Sequence, residues 1–83
     1  MNRIDRIKEK LCVLKPSYLE IIDQSVLHAH HNGINGKQET HISIEISIDG
    51  LKQESLIMQH RTINHLLQEE FRLGLHALKI VIV

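Results

Sequence analysis

Four isoleucines, Ile42, Ile44, Ile46 and Ile48, alternate with Ser43, Glu45 and Ser47 in the run "THISIEISI", and no other stretch constrains the fold so tightly. Side chains of a strand point to opposite faces in turn, so strict alternation predicts a strand with one buried face and one wet face. One greasy face needs a cover, so the rest of the chain must supply helices or a second sheet.

The flanking segments supply helices. Ile4, Ile7, Leu11 and Leu14 recur at three- and four-residue spacing among charged residues, which predicts an amphipathic helix. Asn2 is its expected N-cap, Asp5 suits the positive end of its dipole, and Pro16 ends it. Cys12 falls beside the apolar stripe and reads as a small packing residue. "YLEIIDQS", Tyr18 to Ser25, is short and rich in β-formers, hence a strand. Asp49-Gly50 turns the chain after the isoleucine strand.

Glu54 to Leu73 is helical in pattern, with Ile63, Leu66, Leu67 and Phe71 as its stripe. A break near Gln59 or His60 splits it into a short and a longer helix, and Gly74 is the C-cap glycine. "HALKIVIV" closes the chain as a strand with Leu78, Ile80 and Ile82 on one face, and His76 shares their parity. The expected order is α-β-β-α-α-β. It describes a small two-layer α+β sandwich, a three-stranded sheet covered by helices, in one domain over residues 1–83.

Composition narrows the function. Ten basic residues balance ten acidic ones, so the basic footprint of a nucleic-acid binder is missing. Tyr18 and Phe71 are the only aromatics, too few for a base-stacking platform. A single cysteine forbids an internal disulfide and suits a reducing compartment. No apolar run reaches the ~20 residues that cross a bilayer. "MNRIDRIKEK" has no apolar core of a signal peptide, so the expected location is cytoplasmic, with no membrane partner.

Histidine is the outlier, with seven in the chain. His65 reads as a solvated helix residue and His41 as a wet-face strand residue. His60 falls at the helical break, fit either to cap it or to face a partner. His28, His30 and His31 crowd into "HAHH" on the connection between two strands, and connections are where binding groups concentrate. Neutral imidazole is the commonest metal ligand, yet this spacing is that of no closed zinc site. A partial site completed by another molecule fits it better.

Four blocks, in order, resemble the BolA family: "RIKEKL" with its following proline, "LEIIDQSVLHAHH", "ETHISIEI" and "QHRTINHLLQEEFRLGLHALKI". The resemblance implies a class II KH-like arrangement. It also implies a role as heterodimer partner of a monothiol glutaredoxin, sharing a labile [2Fe–2S] cluster with it and with glutathione, in iron–sulfur trafficking, assembly or iron sensing. The ligands so implied are His76 and, from the loop, His28 or His31. Where family members often read His-Ala-Gly-His this chain has His-Ala-His-His, which makes His30 a third candidate. Ile42 stands where many members have an aromatic. Such clusters need four ligands, so the chain holds none alone. Imidazole in place of thiolate raises the reduction potential and, by protonating, makes the ligand exchangeable.

The runner-up is DNA binding of the transcriptional-regulator kind described for some BolA proteins. Gly33-Ile34-Asn35-Gly36 matches the KH loop in letters, but it falls between two strands instead of two helices. Lys52 to Arg72 carries three basic and three acidic residues, a feeble attraction for phosphates. An enzyme is not expected: no nucleophile sits beside a base and no phosphate loop is present.

Overall fold

A computed structural model of the chain describes residues 2–25 and 40–83. Helix α1 spans Arg3–Cys12, strand β1 Tyr18–Asp23, strand β2 His41–Ser47, helix α2 Leu56–Arg72 and strand β3 Ala77–Ile82. A one-turn 3-10 helix, Asp49–Leu51, links β2 to α2.

Each helix begins at a side-chain cap. Asn2 Oδ1 accepts the Asp5 N–H at 2.9 Å and caps α1; Ser55 Oγ accepts the Met58 N–H at 3.2 Å and caps α2. α1 stops at Cys12, earlier than the proline alone requires. Leu14 and Lys15 N–H fold back onto Leu11 and Cys12 carbonyls, and Lys15 takes φ 51 ahead of Pro16. α2 ends in a Schellman turn: Leu75 N–H bonds Glu70 O at 2.9 Å, Gly74 N–H bonds Phe71 O at 3.3 Å, and Gly74 sits at φ 115.

β2 is the central strand. β1 pairs with it antiparallel, Ile21 opposite Ile44, and β3 pairs with it parallel, Ile80 opposite Ile44. Parallel neighbours need a crossover, and α2 provides it. Ile42, Ile44, Ile46 and Ile48 meet Ile7 and Leu11 of α1, Ile63 and Leu67 of α2, and Leu75, all buried. The sandwich and the α+β class are as the alternation predicts.

Four expectations need correction. α2 runs unbroken from Leu56 to Arg72, with no second helix split off near Gln59 or His60; the additional helical turn is the 3-10 turn ahead of it. Gln59 causes no break because its side chain is buried and donates from Nε2 to Glu54 O, bridging the N-terminal turn. Phe71 is 41% exposed, and Glu70 takes the core-facing position after Leu67. Cys12 is exposed and not a buried packing residue. Finally, the wet face of β2 is drier than alternation implies. Ser43 and Ser47 are both buried, because a central strand is flanked on both sides and serine is short.

Candidate functional site: a histidine pair at one end of the sheet

β1 leaves the sheet through an Asx turn, in which Asp23 Oδ1 accepts the Ser25 N–H at 2.9 Å. The turn drives the Ser25 side chain into the gap between β1 and β2. There its buried Oγ accepts the Thr40 N–H at 2.7 Å and the His41 N–H at 3.1 Å. The Thr40 and Ser25 hydroxyls lie 3.2 Å apart, and Gln24 N–H bonds His41 O at 2.7 Å. Ser25 and Thr40, 15 positions apart, are thus clasped together.

Thr40, immediately ahead of β2, also holds the start of β3. Thr40 O accepts the His76 N–H at 2.8 Å and the Ala77 N–H at 3.1 Å. His76 precedes β3 by one residue, so it escapes the pleat. Its ring is exposed beside that of His41, the centroids 6.1 Å apart and the planes 29° from parallel, instead of following Leu78 and Ile80 toward the core. His41 is half-buried, and its Nδ1 lies 3.0 Å from Thr40 Oγ1, which fixes the ring's orientation.

Of the residues expected from sequence, His76 is therefore present and accessible at this sheet end. His28, His30 and His31, like Gly33 and Gly36, lie outside the described residues. Among the described residues no three His, Cys, Asp or Glu side chains form a group able to hold a metal ion. Cys12 is far from this end. It closes α1, whose first residue, Arg3, donates to Leu73 O near His76, and ten helical residues span about 14 Å. A cavity of about 260 Å³ at the other end of β3, lined by Ile48, Lys52, Leu56, Gln59, Ile82 and Val83, contains no histidine.

Two residues here escape sequence reasoning. His41 is legible as a wet-face residue, but its pairing with His76 depends on the β2–β3 register, which alternation leaves open. Glu70 is the other. Its carboxylate is completely buried: Oε1 accepts Arg3 Nε at 3.1 Å and Arg6 Nη2 at 2.9 Å, while Oε2 accepts Arg6 Nε at 3.0 Å and Lys10 Nζ at 2.9 Å. The Arg6 hydrogen bonds, opposed by burial and helped by Lys10 and Arg3, bring its pKa down to about 2. Arg3, Arg6 and Lys10 lie at three- and four-residue spacing on α1; that stripe of cations was the available signal.

The family model described as BolA-like protein matches residues 11–83. The chain belongs to the BolA-like family. It is 45% identical over 83 residues to the chloroplastic protein BOLA1 of Arabidopsis thaliana, covering 96% of this chain and 52% of that protein. SufE-like protein 1, chloroplastic/mitochondrial, of Arabidopsis thaliana is 44% identical over 81 residues, or 92% of this chain and 22% of that protein. The chain thus spans about half the length of the first relative and under a quarter of the second. The solved structure of BolA1 from Arabidopsis thaliana superposes with a TM-score of 0.85 at 40% identity, covering 99% of this chain and 90% of that one. This BolA-like chain has no helix among its described residues long and apolar enough to cross a membrane.

Proposed function

We propose that the chain is the partner of a monothiol glutaredoxin and contributes imidazoles to a shared, labile [2Fe–2S] cluster, in cluster trafficking, assembly or iron sensing. The observation that carries this reading is the exposed His76 ring, whose backbone is pinned to Thr40 beside the point where the histidine-rich connection leaves and rejoins the sheet. His28 follows Ser25 by three residues, a reach of at most about 11 Å. His76 and one of His28 or His31, with His30 as the third candidate, are the proposed ligands. Membership in the BolA-like family supports the same role.

The donor set fits half of such a site. The described imidazoles His41 and His76 lie at one sheet end, and the single cysteine is remote from it, so the proposal assigns the remaining ligands to the glutaredoxin thiolate and to glutathione. The cluster, when bound, supplies iron that accepts imidazole nitrogen. The chain's own task is to present His76 at a fixed place. This is a partner's role and no catalytic step is assigned to it. Its compartment is proposed to be one that keeps Cys12 reduced, the cytoplasm by default.

The alternative, DNA binding, has no observation in its favour among the described residues. α2 is one unbroken helix, so residues 52–72 make no helix-turn-helix pair, and their charges cancel.

Visible absorption and circular dichroism of the chain mixed with a monothiol glutaredoxin, glutathione, iron and sulfide test the proposal. The expected result is a spectrum distinct from that of the glutaredoxin homodimer, lost in His76→Ala. A glutaredoxin spectrum left untouched by the wild-type chain defeats it.

A further inference from the structure

Glu70 uses its side chain and its main chain on the same object. Its carboxylate takes the cations of α1, while its carbonyl accepts the Leu75 N–H at 2.9 Å and so defines the turn that precedes His76. Arg3 joins the two. Its Nε donates to Glu70 Oε1 at 3.1 Å while its Nη2 donates to Leu73 O at 2.7 Å, a carbonyl of that same turn. The fit is close: a Cβ placed on Gly74 would come within 3.3 Å of Arg3 Nη2. Leu75 is then buried in the core, and the next residue is His76, bonded to Thr40. His76 is therefore held from both sides, by the sheet through Thr40 and by α1 through the turn.

We infer that Arg3 and Glu70 are positioning residues for His76: they fix the Leu73–Leu75 turn against α1, and thereby fix where the imidazole is offered to a partner's iron. The inference rests on the ligand reading above. Arginine is required for geometric reasons. Its planar fork puts one nitrogen on the carboxylate and another on the carbonyl, whereas a lysine keeps the charge but carries all its donors on a single nitrogen, which cannot occupy both places.

Arg3→Lys is the test, with Ile63→Val as a control that loosens the core but removes none of the turn's hydrogen bonds. In the apo chain, amide exchange at Leu75 and His76 is expected to quicken about tenfold more in Arg3→Lys than in the control, as for a lost charge-assisted hydrogen bond. The His41–His76 ring nuclear Overhauser effect is expected to weaken in Arg3→Lys alone. With glutaredoxin, glutathione, iron and sulfide, Arg3→Lys is expected to shorten the lifetime of the mixed spectrum. Exchange and ring contact no different from the control overturn the inference, whatever the cluster does. A wild-type chain that gives no mixed spectrum, yet shows the apo effects, overturns the ligand reading instead and leaves the turn lock without a functional sense.

Discussion

Arg3 and Glu70, 67 positions apart in sequence, meet at 3.1 Å through an ion pair with the carboxylate fully buried and the guanidinium nearly so. Desolvating such a pair is costly, and it persists here because Arg6 and Lys10 complete the carboxylate's hydrogen bonds. Among the described residues no buried side-chain polar atom is left unbonded.

Glu70→Gln removes the charge and keeps the shape. Three cations then face a neutral amide, and breaking a buried pair from one side costs about 3–5 kcal/mol. Urea denaturation at neutral pH, with the slope unchanged and the midpoint lowered, is the expected outcome.

The same residue sets an acid limit. Its folded pKa of about 2 lies below the unfolded value of 4.5, so its stabilisation is fully present above pH 4.5 and fades as pH falls toward 2. The wild type should lose stability across that window, and Glu70→Gln should lose markedly less. A parallel decline in both would assign the acid sensitivity to other carboxylates.

Ser25→Ala leaves the Thr40 and His41 N–H groups without their buried acceptor. A cost of about 1–3 kcal/mol is expected, with faster amide exchange concentrated at Thr40 and His41. Ser25→Thr, which keeps the hydroxyl, should retain most of that protection.

Phe71→Ser and Leu67→Ala separate the stripe read from sequence from the stripe that exists. Phe71 is 41% exposed, so its replacement should cost about 1 kcal/mol, well short of a core truncation. Leu67 is fully buried, and its truncation should cost about 2–5 kcal/mol. Thermal unfolding of the two variants decides it.

Gly74→Ala meets two obstacles, φ 115 and a guanidinium 3.3 Å from the new methyl group. A loss of about 1–3 kcal/mol is expected, read from the unfolding midpoint.

The sheet was legible because Ile42 to Ile48 repeat with a period of two, and two caps were legible because Asn2 and Gly74 each answer a local demand of the backbone. The stripe of α2 was misread by one residue. Hydrophobicity alone prefers Phe71 to Glu70, and nothing local to α2 reveals that α1 brings three cations to the neighbouring position. Cys12 was misplaced because a residue next to a stripe can fall on either side of the waterline. At the candidate site, His76 stood out through resemblance to a family and not through any local pattern. Its contact with His41 needed the parallel register of β2 and β3, a property of the assembled sheet.

Thr40 gives its N–H to Ser25 and its carbonyl to His76 and Ala77. One residue therefore levels two arms of the molecule, and the two ends of the connection, Ser25 and Thr40, are tied to each other. Doubling the length of such a connection costs only about 0.6 kcal/mol in closure entropy. Insertions or deletions between Ser25 and Thr40 are therefore cheap, while Thr40 continues to hold the start of β3.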